Sequence, residues 1–232
     1  MITKNKIIIL VLSFLCIFQN GYADENNGNE QVEINKQLKK QLLNSKYKTD
    51  LYRNDGKKFL LYLYAEDEKK TIEEHISCSG KEYKTIVRRG HYYIYVYDVS
   101  SNRFFPNKIA VFKDTDEITM DVEGANFIVW RQTSENKSDI LLMSQFVACN
   151  GNEYEAYGFV GNQLKKYIFS GKKKNPSFYG KIDIEGLQKH DNDLIGYSFY
   201  NEKLHQIKLS LSKVQGEIKL DILAVSRHPQ FW

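Results

Sequence analysis

Asn54-Asp55-Gly56, followed by Lys58-Phe59-Leu60-Leu61-Tyr62-Leu63-Tyr64, reads as a turn and then a strand with no wet face. Asn, Asp and Gly suit the tight turn because they tolerate positive φ. Side chains alternate across a strand, so Phe59, Leu61 and Leu63 share one face and Leu60, Tyr62 and Tyr64 the other. Both faces are apolar or aromatic, so both are expected to be covered. Tyr92-Tyr93-Ile94-Tyr95-Val96-Tyr97 repeats the pattern. Around these two, short runs of Tyr, Phe, Ile, Val and Leu are separated by breaks such as Ser79-Gly80, Arg89-Gly90, Ser100-Ser101-Asn102, Glu123-Gly124, Asn150-Gly151 and Gly161-Asn162.

Breaks at intervals of about ten residues leave about a dozen candidate strands, beginning with Lys58–Tyr64 and including Thr71–Cys78, Tyr92–Val99, Lys108–Phe112, Ile140–Cys149 and Glu217–Val225. No helical pattern intervenes, which argues against βαβ units. The expectation is an all-β fold, an antiparallel meander. A faint repeat suggests its subtype. Asn152, Tyr157, Phe159, Leu164 and Ser170 recur 40 residues later as Asn192, Tyr197, Phe199, Leu204 and Ser210. That period matches a four-stranded blade whose faces are covered by its neighbours, so the fold is expected to be propeller-like, with a β-sandwich as the alternative.

Three segments divide the chain. Met1 to Ala23 has the pattern of a secretory signal: Lys4 and Lys6, an apolar run from Ile7 to Phe18, and Gly21-Tyr22-Ala23 at the cut. Twelve helical residues rise about 18 Å, too little to span a bilayer. Residues 24–46 comprise a flexible start, Asp24 to Glu30, and one short amphipathic helix from Gln31 to Leu43, with Ile34, Leu38 and Leu42 on one stripe. Residues 47–232 are expected to be one antiparallel β domain.

The composition of the 232 residues narrows the class further. Three Pro, 14 Gly, 16 Tyr and 13 Phe exclude collagen and a wholly disordered chain. The formal charge of +4 falls to +2 once Lys4 and Lys6 leave with a segment that holds no acid, which gives no case for nucleic acid. Cys16 follows Leu15, against the small residue that lipidation wants, so Cys78 and Cys149 remain. In an oxidising compartment they are expected to form a disulfide bond, each lying just before a turn signal.

Candidate chemistry is sparse. Tyr93, Tyr95 and Tyr97 share a strand face, as do Tyr62 and Tyr64, and these five make a candidate binding platform or a second core layer. Lys172-Lys173-Lys174 and Arg88-Arg89-Gly90-His91 both read as basic turns that would form a positive rim if they lay together. Glu73 with His75, and His190-Asp191-Asn192-Asp193, are too few for a zinc site, and Asp114-Thr115-Asp116-Glu117 has Ile118 where a calcium loop needs oxygen. No Gly-x-Ser-x-Gly elbow or GxxxxGK loop occurs. Asp98, Asp121 and Glu123 are carboxylates that a fold can bring together, but spacing does not show it. A barrel in an outer membrane is disfavoured by Gln230, His228 and Ser226 on one strand face near the end, and by Pro229.

The reading from residues is therefore an exported, secreted or periplasmic, non-enzymatic binding protein, with no cofactor, no metal and no transmembrane segment in its mature form. Its expected partner is a protein, as for an inhibitor or immunity protein, or an envelope polymer or glycan. A secreted glycan hydrolase and a surface or outer-membrane structural component are the alternatives.

Overall fold

The computed structural model describes residues 29–76, 82–113, 118–121, 127–132, 137–148, 151–171, 174–175, 177–180, 187–200 and 203–225. Its architecture is several β-sheets and one short helix. The tyrosine sheet runs in the spatial order β1 (Asn29–Gln31), β7 (Arg103–Ala110), β6 (Tyr93–Asp98), β3 (Lys58–Tyr64) and β2 (Tyr47–Tyr52). A hairpin sheet holds β4 (Lys69–Ile76), β5 (Glu82–Gly90) and β8 (Ile118–Asp121). The central sheet is β12 (Gln163–Lys166), β11 (Gly151–Val160), β10 (Ile140–Ala148) and β9 (Phe127–Trp130), with β15 (Phe178–Gly180) also paired to β11. The outer sheet is β14 (Lys174–Asn175), β13 (Ile168–Ser170), β19 (Glu217–Val225), β18 (Lys203–Leu211), β17 (Asp193–Tyr200) and β16 (Gln188–His190). All pairs are antiparallel except β13 with β19.

Alternation along β10 and β11 explains the layering. Leu141, Met143, Tyr157 and Phe159 join Leu51, Phe59, Leu61, Leu63, Ile94 and Val96 of the tyrosine sheet in one core cluster. The rings of Phe59 and Phe159 lie 4.4 Å apart. The opposite face, Ile140, Leu142, Tyr154 and Ala156, packs on Leu194, Ile207, Leu209 and Ile218 of the outer sheet. The central sheet is thus buried on both sides. Ile118 brings the hairpin sheet into the first cluster and Val87 on β5 is buried as well, while Ile72 on β4 stays 71% exposed.

An acidic side chain interrupts this interior. Glu155, only 2% exposed, lies on the face turned to the tyrosine sheet. It accepts hydrogen bonds from the Phe112 amide at 2.8 Å, from the Tyr157 hydroxyl and from the Lys166 ammonium. Burial, with Glu155 beside it, pushes the Tyr157 hydroxyl far above its ordinary pKa, so it stays a neutral donor. Phe112 holds φ at 46°, an uncommon value for a non-glycine residue, and in that conformation its N–H is bound by Glu155.

The helix α1 spans Lys36–Leu43 and starts five residues later than its periodicity suggests. The residues before it are extended: β1 pairs with β7, and the Val32 amide donates to the Pro106 carbonyl at 2.7 Å. Asn29–Gln31 therefore forms a sheet edge where the end of a flexible start and the first residue of the helix were expected. Asn35 then caps the helix by accepting from the Leu38 amide at 2.9 Å. Leu38 and Leu42 are buried, as expected, and they cover Tyr62 and Tyr95. The second face of the β3 and β6 strands is therefore covered by a helix and not by a neighbouring blade.

Three further expectations change. The meander holds within β9 to β12 and β16 to β19, but β3 pairs with β6 because β4 and β5 leave for another sheet. β7 begins at Arg103 and passes through Pro106, because β7 bulges there: Tyr95 pairs with Lys108 and Tyr97 with Phe104, so Phe105 to Asn107 stand against Val96 alone and Pro106 is relieved of regular pairing. The two copies of the repeat face differently: Tyr157 is buried toward the tyrosine sheet, whereas its counterpart Tyr197 is 42% exposed on the far face of the outer sheet. Among the described residues the sheets close neither a barrel nor a ring of blades. Cys78 and Cys149, with Lys172 and Lys173, lie outside the described residues.

Removing the Glu155 carboxylate strands the Lys166 charge and the Phe112 amide in a dry interface. Glu155→Ala is expected to lower unfolding free energy by about 3 kcal/mol, and Glu155→Gln by less because the amide still accepts. Urea unfolding of both variants measures this; equal, negligible losses would show that the network is not a stabilising junction.

Candidate functional site

The tyrosine layer is built by register. Tyr62 pairs with Tyr95, Tyr64 with Tyr93 and Leu60 with Tyr97, so all five tyrosines fall on the face that carries α1. Tyr62 and Tyr95 are 4% and 1% exposed beneath Leu38 and Leu42, and no ligand reaches them while the helix is docked. Tyr64, Tyr93 and Tyr97 are half-buried around the helix. Tyr97 stands 5.0 Å from the Phe104 ring, its hydroxyl donates to Asn102, and the Lys108 ammonium sits 3.7 Å over the Tyr93 ring. Burial raises the pKa of Tyr62 and of Tyr64, and Glu66 and Glu68 add to the rise at Tyr64. These hydroxyls are therefore neutral hydrogen-bonding groups near neutral pH.

The helix is held on this layer at both ends. Upstream lies the bond from Val32 to Pro106; downstream the Ser45 hydroxyl donates to the Leu63 carbonyl at 2.6 Å. What the docked helix turns outward is cationic. Lys36, Lys39 and Lys40 on α1, Lys46 just after it, and Lys48 on the edge strand β2 are all exposed. Lys48 stands opposite Tyr62, on the helix side of the sheet. No acid occurs from Lys36 to Thr49, and among the described residues none of the five meets a carboxylate. The nearest acid that follows, Asp50, is occupied by Arg131 at 2.7 Å and Lys58 at 3.4 Å.

The helical period marks out Ile34, Leu38 and Leu42 and is silent on these lysines. The signal that points to a site is the run of lysines without an acid. That Lys48 faces the same side needed the strand register.

The arginines behave differently. Arg88 and Arg89 were expected in a basic turn; they lie at the end of β5, where Arg88 pairs with Glu68 and Arg89 with Glu73 at 2.7 Å. These ion pairs occupy both guanidinium groups, so they contribute no positive rim. The Tyr92 hydroxyl also donates to Glu68, and His91 is bound by Asp67 through both its backbone N–H and its ring. Gly90 is needed between them: a Cβ there would lie 3.0 Å from Ala65 Cβ and from an Asp67 oxygen. Lys174 falls on the edge strand β14, away from this cluster.

Two carboxylates of the central sheet and its approach are similarly committed. Asp139 accepts from the Tyr52 and Gln132 amides, each at 3.0 Å, and from Arg131. Glu153 accepts from Gln145 at 2.8 Å and from Ser177 at 2.7 Å. Among the described residues no group of three His, Cys, Asp or Glu is placed to hold a metal ion.

Comparison with family models, curated proteins and solved structures finds no match to this chain.

Asp50 is a test of the junction between the tyrosine and central sheets. Burial alone would raise its pKa; the hydrogen bond and charge of Arg131, with Lys58, outweigh that and hold it below the usual value. A depressed folded pKa means the stabilisation is present above the unfolded value of about 3.9 and is lost as pH falls through the folded value. Asp50→Asn is expected to cost about 1 kcal/mol at pH 7, with the gap to wild type closing in melts below about pH 4. A gap that stays constant to pH 2 would exclude the ion pair as its source.

Proposed function

We propose that this chain is an exported, non-enzymatic binding protein that takes an anionic glycan polymer on the face formed by α1, β2 and the tyrosine rim. The observation that carries the reading is the set of five exposed lysines, Lys36, Lys39, Lys40, Lys46 and Lys48, none of them met by a described carboxylate. Lysine is a strongly hydrated point charge on a flexible stem and is depleted from the cores of protein interfaces. Several such charges suit a polyanion, where weak contacts add along one chain. Half-buried Tyr64, Tyr93 and Tyr97 beside them offer ring surface for sugar C–H groups and hydroxyls for hydrogen bonds.

Export follows from Lys4, Lys6, the apolar run Ile7 to Phe18 and the small residues ending at Ala23. None of the described helices is long and apolar enough to cross a membrane. A disulfide between Cys78 and Cys149 belongs to the same reading. Cys78 falls between the paired strands β4 and β5, and Cys149 between β10 and β11. Mass spectrometry of the unreduced, exported protein is expected to find neither cysteine open to alkylation. Two free thiols would remove the bridge.

The binding itself is tested with purified residues 24–232 on a polyuronate and on a neutral glucan. Retention on the polyuronate is expected to weaken steeply with salt, and the glucan is expected to pass unretained. Lys36→Ala, Lys39→Ala and Lys40→Ala together keep the helix, since alanine is its best former, and are expected to weaken binding about tenfold. Equal retention on the neutral glucan, or an unchanged triple variant, would overturn the assignment.

A further inference from the structure

We infer a second binding site, for a small hydroxylated anion of the sugar-acid or sugar-phosphate class, in the cavity where the ends of the tyrosine, central and outer sheets meet. It does not depend on the lysine face, with which it shares no residue. The cavity measures about 230 Å³ and opens to solvent. Its walls come from three parts of the chain: Asn54 in the turn between β2 and β3, Lys137 and Ser138 ahead of β10, and the connection between β18 and β19 from Ser212 to Gly216. Buried Phe159 and Tyr167 also line it.

The walls are fixed before any ligand arrives. The Asn54 amide donates to the Ser138 hydroxyl oxygen at 3.1 Å, joining the tyrosine sheet to the central one. Nearby, Arg53 reaches Asn162 at 2.6 Å across the same junction. The outer wall is tied by Ile168 N–H to the Gly216 carbonyl at 2.9 Å, and internally by the Val214 amide to the Ser212 hydroxyl oxygen at 3.1 Å. Gly216 holds φ at 81°, and a Cβ there would crowd Val160 at 3.3 Å, so glycine lets this turn close over the central sheet. Pre-formed walls of this kind lower the ordering cost of binding.

The chemistry on the walls selects the ligand. Lys137 and Lys213 are exposed and meet no carboxylate among the described residues. The hydroxyls of Ser138 and Ser212 accept from backbone amides, which leaves their own hydrogens to donate. Glu217, the one acid on the wall, already has an interaction of its own. Two ammonium groups and two hydroxyl donors in a cavity lined also by two aromatic residues suit an anionic group on a polyhydroxylated ring. The volume lies below the ~300 to 1,000 Å³ of sites for drug-sized molecules, so it fits one ring and not a chain.

The test is NMR titration of isotope-labelled residues 24–232 with glucuronate, glucose 6-phosphate, glucose and inorganic phosphate, each alone. Both anionic sugars, or either one, are expected to shift the amides of Asn54, Ser138 and Ser212 to Gly216 saturably, and the tighter of the two identifies the anionic group. Glucose and inorganic phosphate are expected to bind at least about tenfold more weakly. Lys137→Ala with Lys213→Ala is expected to weaken the anionic sugars about tenfold at unchanged Tm, since both side chains are exposed, while the triple variant of Lys36, Lys39 and Lys40 leaves these shifts intact. Unmoved amides at these positions, glucose binding as tightly as the sugar anions, or inorganic phosphate doing so would each overturn the proposal. So would an unaffected double variant. Because the lysine face and this cavity respond to different variants, failure of either leaves the other standing.

Discussion

A sheet with no wet face governs this structure. β10 and β11 send Leu141, Met143, Tyr157 and Phe159 one way and Ile140, Leu142, Tyr154 and Ala156 the other, and every one of these residues is buried. Neither face is satisfied by a single neighbour, so the tyrosine sheet and the outer sheet must both be in place for the central sheet to be dry. Burial at roughly 25 cal/mol per Å² makes such a layer strongly favourable only as a whole stack. Among the polar residues buried in this sheet, Glu155 is bonded by a backbone amide, a hydroxyl and an ammonium, which is the condition under which a buried carboxylate is tolerated.

The stack has an end problem, and α1 answers it. The tyrosine sheet lies at one side of the central sheet, which leaves Leu60, Tyr62, Tyr64, Tyr93, Tyr95 and Tyr97 facing away from any other sheet. Eight helical residues are too few to be stable alone. Leu38 and Leu42 dock them on Tyr62 and Tyr95, and the ties at Val32 and Ser45 hold the ends. The same docking forces Lys36 and Lys40, opposite Leu38 and Leu42 on the helical wheel, into solvent. The cationic surface is thus a by-product of covering the aromatic layer, and a helix whose outward side carried acids would cover it equally well.

Two-sided burial of Phe59–Tyr64 and Tyr92–Tyr97, and the stripe of Leu38 and Leu42, were legible because each follows from a local period. What covers the second face was not, since a helix and a neighbouring blade impose the same demand on a strand. The matched tyrosines at 157 and 197 misled for a related reason: a period of 40 records composition and spacing, but not which way a strand is turned in its sheet. β1 and β2 escaped notice because Asn29-Glu30-Gln31 and Tyr47-Lys48-Thr49-Asp50 are too polar or too short for an apolar pattern, and pairing with β7 and β3 is what makes them strands. Arg88 and Arg89 looked like a turn beside Gly90, where the glycine serves close packing on Ala65 and Asp67.

Net charge hides how this protein distributes its cations. Arg53, Arg88, Arg89 and Arg131 are each spent on a carboxylate inside or at the seams of the sheets, where a planar fork with several donors fixes geometry. The lysines of α1 and β2, and Lys137 and Lys213 at the end cavity, are left unmatched. A chain whose seam carboxylates are taken by arginines, and others by lysines such as Lys166 and Lys208, can therefore be close to neutral overall and still present uncompensated positive charge at chosen places. Coulombic attraction between exposed charges fades over about 10 Å at 0.1 M salt, so a partner responds to these local groups and not to the formal total. On that argument the five lysines over the tyrosine layer and the two at the cavity act separately. The first is spread along a helix and a strand edge, as a polymer requires. The second converges on a space of one ring, with the donors around it already held in position.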